Sequence, residues 1–97
     1  MWKVVFTRQA LKDAKKLKAA GLDIKAKSLV EVVKKDPWSN PPAYEALRGN
    51  LEGSFSRRIN LQHRFVYEVV PGVFEENGVA FDGIVKVIRM WTHYERI

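Results

Sequence analysis

Cysteine is absent from the 97 residues. That excludes disulfides, thiolate chemistry and cysteine zinc sites, and it suits a reducing cytoplasm. Histidine is scarce: two copies, His63 and His93, stand far apart with no HExxH spacing. No credible zinc site results, so neither a metal nor a cofactor is expected. The six glycines form neither GxGxxG nor GxxxxGK, which removes the familiar phosphate loops. A serine nucleophile elbow is missing as well. Apolar runs are short; Phe65-Val66-Tyr67 is broken by Glu68 before Val69-Val70 resumes, far from a bilayer span. The opening Met1-Trp2-Lys3-Val4-Val5-Phe6 has no long apolar stretch and no small-residue cleavage site. No signal peptide or membrane segment is therefore read, and a cytoplasmic location is expected.

Positive charge and aromatic area are plentiful instead. Seventeen Lys and Arg against 11 Asp and Glu give a formal charge of +6 and a pI near 9.8. This favours a polyanionic partner such as nucleic acid, through attraction and counterion release. At 46% hydrophobic, with three Trp, three Tyr and five Phe, the chain can bury a core. Its length predicts one domain, residues 1–97, small enough that a homodimer or bound partner would help stabilise it.

Trp2 to Phe6 is β-branched and aromatic and reads as a first strand. Thr7 can cap the helix that follows, where Leu11, Ala14 and Leu17 recur at helical spacing up to about Ala20. Gly21 ends it, and a second helix is expected from Asp23 to Lys35, stopped by Pro37, with Ile24, Leu29, Val32 and Val33 as its buried stripe. Lys12, Lys15, Lys16 and Lys18 form a solvated face or meet RNA phosphates; their spacing does not separate the two.

After a loop at Pro37 to Pro42, anchored by Trp38, strands are expected at Ser54–Asn60, Arg64–Val70 and Ile84–Trp91. Asn77-Gly78 marks a hairpin turn, because both central residues of a type I′ turn need positive φ. Pro71-Gly72 and Asp82-Gly83 flank it and suggest a long, bent hairpin. By strand parity Phe55 and Ile59 share one face with Arg57, a placement that calls for a bulge or an edge strand. The order predicts an α+β fold: a two-helix hairpin on one face of a mostly antiparallel sheet of about four strands. The other face is left for a ligand.

Arg57-Arg58, His63-Arg64 and Thr92-His93-Tyr94 place guanidinium groups, an imidazole and a phenol on strands of one sheet, with Glu45 upstream. Those residue types suit RNA cleavage without a metal: a base for the 2′-hydroxyl proton, a cation for the phosphorane and an acid for the leaving oxygen. Arg64 can grip phosphate through paired N–H groups, although a solvated strand arginine countered by Glu68 is the bland alternative. A histidine such as His93 titrates near neutrality and can protonate a leaving 5′-oxygen, or can be a terminal residue with no task. Glu45 serves as base or caps a short turn. Tyr94 offers a ring for base stacking or closes the sheet end. His63, at a strand entrance, reads as structural.

From Tyr44 onward the chain resembles the YoeB/Txe toxins of the RelE superfamily. The resemblance is carried by Glu45-Ala46-Leu47, Asn50-Leu51-Glu52-Gly53, Ser56-Arg57-Arg58-Ile59, His63-Arg64-Phe65-Val66-Tyr67 and His93-Tyr94. The first half matches in element order more than in residues. The resemblance implies a RelE-like, microbial-RNase-like fold and a toxin of a type II toxin–antitoxin pair that cleaves mRNA in the ribosomal A site. It implies that Glu45 is the general base, Arg64 the phosphorane stabiliser and His93 the general acid. Tyr94 would orient the nucleotide, Arg58 assist with phosphate, and Arg48 contact RNA. The implied partners are a cognate antitoxin, the ribosome and mRNA.

Two departures stand out: Glu95-Arg96-Ile97 follow the His-Tyr ending, and the hairpin between Val70 and Ile84 is longer than in relatives. Two rival readings remain. One is a superfamily member that binds another target, such as gyrase, without nuclease activity. The other is a basic RNA-binding module.

Overall fold

Thr7 joins the first strand to the first helix, and its Oγ1 donates to the Ile88 carbonyl at 2.8 Å. The same oxygen accepts from the backbone N–H of Ala10 at 3.0 Å, supplying the N-cap of a helix that begins at Arg8. This computed structural model describes residues 1–92. Strand β1 (Lys3–Phe6) leads through Thr7 into α1 (Arg8–Ala19), and α2 (Asp23–Lys35) follows. Gly21, at φ 74°, turns the chain between the helices, a conformation that costs glycine little. Next come β2 (Tyr44–Ala46), a 3-10 turn (Gly49–Leu51), β3 (Ser54–Arg58), β4 (Arg64–Glu76) and β5 (Val79–Arg89).

The five strands lie in the order β1-β5-β4-β3-β2. All neighbours are antiparallel except β1 and β5, which pair in parallel from Lys3↔Ile84 to Phe6↔Val87. The expected two-helix, mostly antiparallel fold is present, with the short edge strand β2 as the addition. Asn77 and Gly78 both have positive φ and close the β4–β5 hairpin. Its ladder shifts register between Pro71 and Phe74, giving the bend that Pro71-Gly72 suggested.

The core lies between the helices and one sheet face. Ala10 and Leu17 from α1, with Ala26, Leu29 and Val33 from α2, meet Phe65, Tyr67, Val85 and Val87. Each large apolar side chain buried there contributes about 1.5–3 kcal/mol of transfer free energy. The expected stripe of α2 needs correction: Ile24 is 78% exposed. It stands five residues before Leu29, so a 100° step turns it well away from the Leu29 and Val33 side. Leu11 is also exposed, while Val32 is half-buried. No helix among the described residues is long and apolar enough to cross a membrane.

Arg57 corrects another expectation. Its strand β3 is neither bulged nor at an edge, and the side chain is fully buried. Nε donates to Tyr67 Oη at 3.0 Å, Nη2 to the Pro37 carbonyl at 2.9 Å, and Nη1 to the Pro42 carbonyl. The guanidinium carbon also lies 5.0 Å from the centre of the Tyr44 ring. A charge can stay in this core because carbonyl oxygens and ring faces take the place of water. The loop is therefore held by Arg57 through Pro37 and Pro42. Trp38, the expected anchor, is partly exposed; its ring meets Trp2 edge-on at 5.4 Å.

Candidate active site

The Arg57 clamp decides where the chain goes after Pro42. It delivers Tyr44 to the β3 edge, where Tyr44 pairs with Arg57, Glu45 with Ser56 and Ala46 with Phe55. Tyr44 packs edge-on to Phe55 at 5.8 Å on the helical side of the sheet. Alternation then turns Glu45 to the opposite side, with Ser56. Strand β4 adds the cation: Ser56 pairs with Val66, and Arg58 with Arg64.

Arg64 is 5% exposed, so the solvated-arginine alternative does not hold. Its Nε donates to Ser56 Oγ at 2.7 Å, and its Nη2 lies 3.5 Å from Glu45 Oε1. Glu45, rather than Glu68, is the partner. The two side chains differ sharply in environment: 6% exposed for Arg64 and 70% for Glu45. A guanidinium fixed from below thus faces a carboxylate that solvent or a ligand can reach. The carboxylate is also free of any cap on a short turn, since it belongs to β2.

Ala43, Tyr44, Glu45, Arg58 and Arg64 line a cleft of about 170 Å³. Two guanidinium groups against one carboxylate leave it net positive, which suits an anionic group. Arg48 is exposed at the start of the 3-10 turn and is not among the residues lining the cleft. A larger apolar groove, about 360 Å³, lies on the helical side and is lined by Phe6, Leu11, Leu17, Val30 and Met90 among others.

The backbone N–H of Arg64 donates to the Thr92 carbonyl at 2.9 Å, so the segment that follows β5 runs beside the buried arginine. His93 and Tyr94 lie outside the described residues. His63 is buried and stacks on Trp91 with ring centres 3.8 Å apart, which agrees with a structural place for it. Burial pushes the Tyr67 phenol above its ordinary pKa of 10.0, with Arg57 opposing. The phenol therefore stays protonated and donates to the Pro37 carbonyl at 2.7 Å.

Two residues that shape this site were not evident from the sequence. Ser56 holds Arg64, and its signal was its place two residues before Arg58 on the polar face of the strand. Arg57 places the strand of Glu45, and its only local signal was the parity conflict already noted.

Residues 6–94 match the family described as the YoeB-like toxin of bacterial type II toxin–antitoxin systems. A YoeB toxin from Synechocystis sp. is 42% identical over 41 residues, a match covering 42% of this chain and 48% of that protein. The chain thus aligns with about half the length of this relative. The YoeB/ParE toxin from Agrobacterium tumefaciens has a similar structure, with TM-score 0.78 and 29% identity over 95% of this chain and 99% of that one. A YoeB dimer from Staphylococcus aureus gives TM-score 0.72 and 26% identity, covering 96% and 98%. A YoeB-YefM complex from the same organism gives 0.70 and 26%, covering 97% and 99%.

Proposed function

The chain belongs to the YoeB-like toxins of bacterial type II toxin–antitoxin systems, within the RelE superfamily, and from that membership we propose that it is a ribosome-dependent mRNA endonuclease. The observation that carries this reading is the 3.5 Å approach of a buried guanidinium, Arg64, to an exposed carboxylate, Glu45, in a positive cleft. A pure binding surface has no need of an acceptor for protons there.

In the proposed reaction Glu45 takes the proton of a 2′-hydroxyl. That oxygen bonds to the adjacent phosphorus, and charge builds on the non-bridging oxygens. Arg64, held by Ser56, meets that charge with fixed N–H groups, and Arg58 assists from across the strand pair. The bond from phosphorus to the 5′-oxygen breaks, and His93 donates the proton that the leaving oxygen needs. The products are a 2′,3′-cyclic phosphate, which becomes a 3′-phosphate when a water opens the ring, and a free 5′-hydroxyl. Tyr94 orients the nucleotide or stacks on its base, and Arg48 contacts RNA phosphate outside the cleft. Base, cation and acid together supply each step, so no metal or cofactor is assigned.

The proposed partners are the ribosome and mRNA in the cytoplasm, and a cognate antitoxin that neutralises the toxin. The S. aureus relative forms a complex with YefM and is also seen as a dimer. A homodimer is included in the proposal on that basis. Expression without an antitoxin should arrest growth and translation, and mapping mRNA 5′ ends should show cuts in the reading frame. Intact mRNA with damaged DNA would favour a binder of a target such as gyrase. Salt-sensitive RNA binding without cleavage would favour a basic binding module.

A further inference from the structure

We propose that Asp13 is a positioning residue that fixes the chain leaving β5, the segment on which the expected general acid His93 depends. Its catalytic consequence rests on the nuclease reading above; its geometry does not. Asp13 is fully buried on α1, in the stripe shared with Ala10 and Leu17. A helix packed on a sheet needs only an apolar side chain there. A carboxylate in that position is costly unless donors surround it.

Those donors come mostly from one short stretch. Asp13 Oδ2 accepts from Arg89 Nε at 2.9 Å and from the backbone N–H groups of Met90 at 2.9 Å and Trp91 at 3.3 Å. Oδ1 accepts from Gln9 Nε2 at 3.0 Å. The β4–β5 ladder ends at the pair Val66 and Arg89. Beyond it, Asp13 replaces the missing strand as acceptor for the next two amides. Arg89 Nη2 also donates to the Trp91 carbonyl at 3.1 Å.

The same stretch is held from the other direction. His63 stacks on Trp91, and the backbone N–H of Arg64 donates to the Thr92 carbonyl. Residues 89–92 are thus tied on one side to a buried helical carboxylate and on the other to the strand start that carries the phosphate-binding arginine. The exit direction of the chain follows from both ties, and the helical side of it rests on the charged pair of Asp13 and Arg89.

The test compares Asp13→Ala and Asp13→Asn in the full chain, reading amide exchange at Met90 and Trp91 together with single-turnover cleavage on programmed ribosomes. Asp13→Ala should speed exchange at both amides and lower kcat by roughly 100-fold with little change in KM, as expected for a misplaced reacting group. Asp13→Asn keeps an acceptor and should recover much of both. Leu17→Ala, chosen to match the stability loss, should keep kcat near wild type once folded. Unchanged exchange in Asp13→Ala overturns the anchor; faster exchange with wild-type kcat, or an equal kcat loss in Leu17→Ala, overturns its catalytic consequence. A wild type that cleaves nothing overturns the nuclease reading separately, and the exchange measurement still decides whether Asp13 holds this segment.

Discussion

Ser56 holds Arg64: its hydroxyl accepts from Nε at 2.7 Å, which sets the direction from which Nη2 approaches Glu45 at 3.5 Å. A guanidinium on a flexible stem would otherwise lose rotamer freedom each time it met a phosphate. Ser56→Ala removes the holder and leaves the charge. Cleavage should fall roughly tenfold, corresponding to about 1–2 kcal/mol for a hydrogen bond to a charged group. Single-turnover rates on ribosome-bound mRNA check this, with Ser56→Thr expected to retain more activity than Ser56→Ala.

Arg57 is a test of how the Glu45 strand is placed. In Arg57→Met the side-chain volume largely remains, but the Pro42 carbonyl loses its donor and Pro37 keeps only Tyr67. Urea unfolding should show a loss of about 2–3 kcal/mol. Arg57→Lys should also be destabilised, because an ammonium cannot reproduce the planar fork that reaches three oxygens at once. Cleavage should fall in both, even where they are fully folded.

Gly83 lies where β5 passes under Trp2. A Cβ built there would stand 2.6 Å from Trp2 Cζ3 and 2.9 Å from Pro71 Cα, and would meet the Val70 carbonyl as well. Two of those three contacts are backbone and cannot swing aside. Gly83→Ala should therefore lower stability by about 1–3 kcal/mol, the range for overpacking. The expected readout is a lower Tm, and the Glu45–Arg64 site should keep its cleavage rate at temperatures where the variant is folded.

Asp13 makes stability depend on pH at the acid end. Burial raises its pKa, but the N–H of Met90, the Gln9 amide and Arg89 together outweigh that and hold it below the ordinary 3.8. The unfolded chain then binds this proton more readily than the folded one. Its contribution is complete above the ordinary value and is lost as pH falls through the lowered folded value. Unfolding free energy should drop as pH falls below about 3.8. Urea titrations of wild type and Asp13→Asn check it, since the variant should lose part of that acid slope.

Local chemistry made most of the fold readable. The Thr7 cap, the Gly21 turn and the Asn77-Gly78 hairpin each act within a few residues, and all stand where their chemistry requires. The β2 strand was not readable, because Tyr44–Ala46 has little strand propensity and forms through the distant Arg57 clamp. Ile24 departs from the expected stripe because its angle on the helix, rather than its hydrophobicity, sets its exposure. Within the site, the convergence of Glu45, Arg58 and Arg64 was legible from residue type and motif order. The anchors Ser56, Arg57 and Asp13 were not, since each is defined by a partner on a different element of the fold. An acid inside the α1 apolar stripe was the one available signal for Asp13.

The most direct measurement uses a programmed ribosome whose mRNA carries a single 2′-deoxynucleotide at the mapped cleavage position. The wild-type protein should cut the all-ribose message and leave a cyclic or 3′-phosphate end, and should leave the deoxy message whole. Glu45→Gln and Arg64→Ala should each slow cutting of the ribose message by at least about 100-fold. Equal cutting of the deoxy message, or wild-type rates in both variants, would contradict a proton acceptor and a guanidinium acting together on one phosphodiester.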